Sequence, residues 1–138
     1  MKTIKQISVF LENRQGTLGS ILNVLKNEKI EIQAAAVSDT SDYGILRLIT
    51  SEQRKAADIL NKNGILANVN EVLAIKIGSD TADFALAVDS LTNGGVQINY
   101  LYTFHVDNML VLIIRPDNLE KAVTVAEKSG LELVKGWE

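Results

Sequence analysis

Apolar positions recur along the chain with a spacing of 66 residues, from about residue 4 to the C-terminus. Leu18, Leu22 and Leu25 fall on Phe84, Val88 and Leu91, while Ile30 and Ile32 fall on Val96 and Ile98. Ile45 and Leu46 fall on Val111 and Leu112, and Gly64-Ile65 on Gly130-Leu131. Identities between the halves are few, so what repeats is the pattern of burial. A fixed period of this kind marks a duplicated supersecondary unit and constrains the whole fold.

In the first half, Ile7, Val9 and Leu11 alternate with Ser8, Phe10 and Glu12, a period of two that predicts a strand with one buried face. Asn13-Arg14-Gln15-Gly16 breaks the alternation. Leu18, Ile21, Leu22 and Leu25 then recur at helical spacing, with Thr17 as a candidate N-cap. A strand from about Ile30, a polar turn over Ser38-Asp39-Thr40-Ser41-Asp42 and a strand over Tyr43–Ile49 read as a hairpin. Thr50 and Gln53 have the spacing of a capping box, opening a helix with Ala56, Ile59 and Leu60 inward. Asn63-Gly64 ends it, and Ile65, Ala67 and Val69 begin a fourth strand.

The second half repeats the order. Leu73, Ile75 and Ile77 form a strand, Ser79-Asp80-Thr81-Ala82 a break, and Phe84, Ala87, Val88 and Leu91 a helix face ending at Gly94-Gly95. Val96–Phe104 and Met109–Ile114 make the hairpin, Pro116-Asp117 opens a helix with Ala122, Val125 and Ala126 inward, and Leu131 and Leu133 begin the closing strand. The order β-α-β-β-α-β is a split βαβ unit, and right-handed crossovers close it into a four-stranded antiparallel sheet with both helices on one face. The predicted class is α+β, two ferredoxin-like βαββαβ modules over residues 1–70 and 71–138. No Pro- or Ser-rich linker separates Ile65–Glu71 from Asn70–Ile77, so the pattern predicts closely coupled halves and leaves room for a shared or exchanged strand.

Composition narrows the function. A net charge of −3 and a pI near 5.2 argue against nucleic acid, whose binding rests on clustered Lys and Arg. No window approaches the roughly 18 apolar residues of a membrane span, and Met1-Lys2-Thr3-Ile4 leads straight into strand-like alternation rather than a signal peptide. The expectation is a cytoplasmic protein with no membrane partner. Each half of the 138 residues is small for an independent core, so the halves should lean on each other, on a second chain, or both; a homodimer is expected. There are no cysteines and one histidine, His105, in the expected turn Phe104-His105-Val106-Asp107-Asn108. With no second His, no thiolate and no carboxylates at metal-loop spacing, the reading is of a protein that is not an enzyme, with no catalytic residue, metal or cofactor. Trp137 reads as an edge or interface aromatic.

The loop Asn13-Arg14-Gln15-Gly16-Thr17-Leu18 is the candidate binding feature. It leads from strand to helix, where the first amides have no intrahelical acceptor and favour a carboxylate or phosphate. Gly16 allows close backbone approach. Plain turns of this composition are also common, so both readings stand. A helix terminus contributes about 0.3–1 kcal/mol, up to ~2 when partly buried, whereas micromolar affinity needs about 8 kcal/mol. An ammonium contact and a buried apolar side chain, the latter about 1.5–3 kcal/mol, would have to add to it. A small amino acid offers all three. The second strands are the candidate walls: Ala34-Ala35-Ala36-Val37 leaves room, whereas Tyr100-Leu101-Tyr102-Thr103-Phe104 fills or covers space.

The repeat and the loop together resemble the ACT domain family of small amino-acid-sensing modules. Asn13, Gly16 and Leu18 stand at the positions of that family's signature turn, and the loop is especially similar to that of acetohydroxyacid synthase regulatory subunits, where Pro often stands at the position of Gln15. The resemblance covers the whole chain as a tandem pair without a catalytic domain. It implies a regulatory protein binding an amino acid, such as a branched-chain one, at an inter-module or dimer interface, with a partner enzyme reading the change. By analogy the ligand-binding residues are Asn13, Arg14, Gln15, Gly16, Thr17 and Leu18 of one loop, facing Ala36 and Val37 or Leu101 and Tyr102 of a second strand. Ser79, Asp80 and Ala82 depart from the signature in the second half, where Asp80 either meets an ammonium group or caps the helix. The alternative is a subunit that docks on an enzyme without a ligand of its own.

Overall fold

A computed structural model describes residues 2–12, 14–39 and 43–135. Asn13, Trp137 and the turn residues Thr40, Ser41 and Asp42 lie outside the described residues. The elements run β1 Ile4–Glu12, α1 Thr17–Asn27, β2 Ile32–Asp39, β3 Tyr43–Thr50, α2 Gln53–Lys62, β4 Ala67–Gly78, α3 Thr81–Asn93, β5 Ile98–Val106, β6 Met109–Pro116, α4 Leu119–Lys128 and β7 Glu132–Leu133. The architecture is α+β, with antiparallel strands in two βαββαβ modules. The chain divides into two compact units, Lys5–Asn70 and residues 71–135 with 2–4.

In the first unit the strand order is β2-β3-β1-β4. Ile7 faces Leu48 and Val9 faces Leu46 across β1 and β3, so one side of the sheet is apolar. α1 and α2 cover it with Ile21, Leu25, Ala56, Ala57 and Leu60. In the second unit the order is β7-β4-β6-β5, and α3 and α4 close an equivalent core over Ile75, Leu112 and Ile114. Adding 66 to eleven of the twelve residues in the first core gives a residue of the second, so the periodicity is one of packing positions. Ala67 is the exception; its counterpart Leu133 is only partly buried.

The pattern predicted eight strands, and the described residues form seven. β4 is continuous from Ala67 to Gly78, closing one sheet and opening the other. Between Asn68 and Val72 no Gly or Pro interrupts the extended backbone, so nothing ends the strand where two were read.

All four helices stop in the same way. Ile30, Ile65, Val96 and Leu131 donate their amides back to Leu25, Leu60, Leu91 and Ala126, the six-to-one bond of a Schellman ending. The residue before each lies at positive φ: Gly64, Gly95 and Gly130 in three cases, but Lys29 at 58° after α1.

Several starts differ from expectation. α2 begins at Gln53, and of the capping box read over Thr50 and Gln53 one arm forms, from the Thr50 amide to the Gln53 side chain. Gln53 is fully buried, its Oε1 accepting from Thr50 N–H at 3.0 Å and from Thr50 Oγ1 at 2.6 Å, and its Nε2 donates to the Lys5 carbonyl. The two side chains form a buried bridge between β3, α2 and β1. Pro116 lies in β6, and α4 opens at Leu119, because the Asn118 side chain takes the Lys121 amide at 3.0 Å. Of the four apolar residues at helical spacing in α1, Leu18 and Leu22 are each 37% exposed, whereas Ile21 and Leu25 are buried. His105 lies exposed on β5; the turn is only Asp107-Asn108, both at positive φ, as two-residue hairpins of type I′ require.

Two outcomes are expected in denaturant unfolding. Gln53→Ala leaves the Thr50 amide and Lys5 carbonyl unpaired and lowers stability by about 2–4 kcal/mol. Lys29→Gly relieves a left-handed non-glycine residue and raises stability by about 0.5–1 kcal/mol.

Candidate functional site

The first unit's distinctive local geometry lies where β1 gives way to α1. β1 ends at Glu12, and the Arg14 amide donates back to the Glu12 carbonyl at 2.7 Å. Gly16 follows at φ 89°, a left-handed conformation that blocks helix before it, so α1 starts at Thr17. Thr17, read as the N-cap, instead sits inside the helix, its hydroxyl donating to the Arg14 carbonyl at 3.0 Å. Gly16 takes the cap position and has no side chain to offer. Ser20 closes the first turn onto the Gly16 carbonyl with its amide and its hydroxyl, at 3.0 and 3.1 Å. Among the described residues, the Leu18 and Gly19 amides meet no acceptor.

A cleft of about 550 Å³ opens at this point. Arg14, Gln15, Gly16 and Thr17 line it, with Phe10 and Glu12 from β1, Ser20 and Ile21 from α1, and Asn63, Gly64, Ile65 and Leu66 leading into β4. Polar and apolar groups therefore converge. Glu12 Oε2 and Arg14 Nε form an exposed ion pair at 2.8 Å. Phe10, 44% exposed and 5.6 Å from the Tyr43 ring, and Leu66, 57% exposed, supply apolar surface.

Four of the expected residues, Arg14 to Thr17, thus share one cleft. Leu18 is adjacent in α1 and half-exposed but does not line it. Ala36 and Val37 lie on β2, the terminal strand of the same sheet, with β3 and β1 between them and β4. Leu101 and Tyr102 belong to β5 of the other unit. Within the first unit the wall is therefore the α2–β4 connection, because the strand order sets β4 beside β1 and β2 at the far edge. Glu12 and the segment Asn63–Leu66 were missed. Their signal was the predicted topology, in which the end of β1 adjoins the start of β4.

The corresponding position in the second unit is built differently. Ala82 stands 66 residues after Gly16, and it is helical: α3 begins two positions earlier in the repeat, at Thr81. Its N-cap is Asp80, whose Oδ1 accepts the Ala82 amide at 3.0 Å. Of the two roles open to Asp80, the structure shows the cap. No group of three or more His, Asp or Glu among the described residues is gathered to hold a metal, and no described helix is long and apolar enough to cross a membrane.

Residues 2–137 match the family described as an ACT domain pair. The chain belongs to that family. This ACT domain pair is similar to a protein from Bacteroides thetaiotaomicron known from its crystal structure, at 33% identity and a TM-score of 0.90, over 96% of this chain and 92% of that one. It also resembles the regulatory subunit of aspartate kinase from Thermus thermophilus, in ligand-free form, at 13% identity and a TM-score of 0.61, over 91% of each chain. The same subunit from Thermus flavus gives 14% and 0.59, over 91% of this chain and 92% of that one. The two Thermus likenesses are of fold. No curated protein matches the chain.

Asp80→Ala removes a side-chain cap from α3 and is expected to cost about 1 kcal/mol, read as a lower denaturation midpoint with an unchanged slope.

Proposed function

We propose that this ACT domain pair is a regulatory protein, not an enzyme, which binds a small free amino acid in the cleft at the start of α1. The observation that carries the reading is the cleft itself, where an ion pair and an apolar wall meet the turn Arg14–Thr17, next to Leu18 and Gly19 amides that have no acceptor among the described residues. A zwitterion has a partner for each: its carboxylate for the amides and Arg14, its ammonium for Glu12, its side chain for Phe10 and Leu66. Opening the Glu12–Arg14 pair costs little, since exposed ion pairs are worth only about 0–1 kcal/mol.

Amides and one apolar side chain together supply about 2–5 kcal/mol, short of the ~8 kcal/mol of a micromolar complex. A roof that excludes water makes up the difference. β2 suits that part: it is a terminal strand, its Ala-rich face is slim, and Val37 is 55% exposed. In this proposal the protein works as a cytoplasmic homodimer, with Ala36 and Val37 of one copy covering the loop Asn13–Leu18 of the other. A partner enzyme reads the change, which requires that the ligand bind the two arrangements with different affinity. The exposed Leu18 and Leu22 favour a second reading, a docking subunit without a ligand. Pull-down of the partner with and without amino acids separates the two, since only the sensing form gives a ligand-dependent yield.

Isothermal titration with the twenty standard amino acids tests the proposal; absence of heat with all of them overturns it. Gly16→Asp places a carboxylate at the free amides and is expected to abolish binding. A Cβ at Gly16 meets nothing within 4 Å, so the fold bears only backbone strain of about 1–2 kcal/mol. Glu12→Gln is expected to weaken an amino acid about tenfold or more while strengthening its deaminated analogue, which no longer competes with Glu12 for Arg14.

A further inference from the structure

Duplicated modules suggest duplicated sites, but the two helix entrances have diverged in backbone as well as in side chains. We infer that each chain carries one working ligand site, in the first module, and that the chain's own Asp80 carboxylate permanently fills the equivalent position in the second. The inference rests on the proposed function and specifies its stoichiometry.

Three observations carry it. At Gly16 the backbone stands at φ 89°, which ends the turn and leaves Leu18 and Gly19 with no amide acceptor among the described residues. Ala82, at the repeat position, lacks glycine's access to that region. Its segment therefore continues as helix, and the residues matching Gln15 and Gly16 become Thr81 and Ala82 in the first turn of α3. The recess that the left-handed turn makes in the first module has no backbone counterpart here.

Second, an amide exposed by that earlier start meets an internal anion, and the next, of Asp83, donates to the Asp80 carbonyl at 3.1 Å. Asp80 Oδ1 accepts from Ala82 N–H at 3.0 Å. A tethered carboxylate competes with a free one at a high effective concentration, so dissolved ligand does not displace it.

Third, a second carboxylate guards the same entrance. Gly78 stands 66 residues after Glu12, and a Cβ placed on it would lie 2.4 Å from Asp83 Oδ2. The Asp83 carboxylate thus occupies the space where the first module's ammonium-binding side chain originates. With Asp80 and Asp83 both at this entrance, an incoming carboxylate meets like charge.

The test is titration of the full chain with the twenty standard amino acids, read for stoichiometry, and amide resonances followed by NMR with whichever of them gives heat. The expected result is one ligand per chain, with shifts at Leu18 and Gly19 and none at Ala82 or Asp83. Gly16→Asp, shown folded by its thermal transition, then retains no saturable binding. Two ligands per chain, residual binding of half the capacity in Gly16→Asp, or ligand-dependent shifts at Ala82 each overturn the inference while leaving the proposed function standing. Absence of binding by every amino acid withdraws both. The NMR readout uses the unmodified chain and is independent of how any variant folds.

Discussion

A backbone turned into the left-handed region cannot also continue a right-handed helix, and at the start of α1 this incompatibility decides which amides are left over. Gly16 at φ 89° delays the helix to Thr17 and takes the cap position without a side chain to fill it. Ordinary helix starts avoid this outcome, because an Asp or Asn at the cap accepts one of the orphan amides. Asp80 and Asn118 do so at α3 and α4. α2 also lacks a side-chain cap, but the connection before it carries the buried Thr50–Gln53 bridge rather than a cleft. An uncapped start therefore does not define a site. What sets α1 apart is that its free donors accompany a hollow lined by opposite charges and exposed apolar groups.

The scaffold around this turn is conservative in a physical sense. Core positions repeat across the halves although most side chains differ, so each module closes the same two-layer arrangement with its own packing solution. Ile21 and Ala57 in the first core become Ala87 and Val123 in the second, a large and a small residue exchanging places. Packing at native density tolerates such exchanges when total volume is kept. Helix endings are held by the same backbone bonds in all four cases, which fixes where each following strand begins. Such a frame allows one strand-to-helix loop to change its backbone without disturbing the sheet beneath it.

Much of this frame was legible in the sequence because its signals are local and redundant: alternation in β1, helical spacing in the four helices, and glycine after three of them. What was not legible depended on neighbours far away in sequence. Leu18 and Leu22 share helical spacing with Ile21 and Leu25, yet only the latter two are buried in the first core. Thr50 and Gln53 have the spacing of a cap, yet Gln53 turns inward because the Lys5 carbonyl on β1 needs a donor. The loop at residues 14–17 was readable from its glycine and its place between strand and helix. Its wall at Asn63–Leu66 required following the strand order one step further, from β1 to its neighbour β4.

The Glu12–Arg14 pair illustrates how that wall and turn would discriminate among ligands. A plain carboxylate competes for Arg14 and the amides but leaves Glu12 without its cation. A plain amine satisfies Glu12 but strands Arg14 and gains nothing from the helix start. Only a molecule with both charges a few ångströms apart exchanges one internal pair for two external ones without leaving a charge unmatched. The ion pair's exposure makes it cheap to open in water, while closure by a roof would raise the cost of any unmatched charge steeply. Selectivity for zwitterions would thus arise from desolvation on closure rather than from strong contacts in the open cleft. An open cleft that holds an exposed ion pair beside apolar surface is what such a mechanism needs.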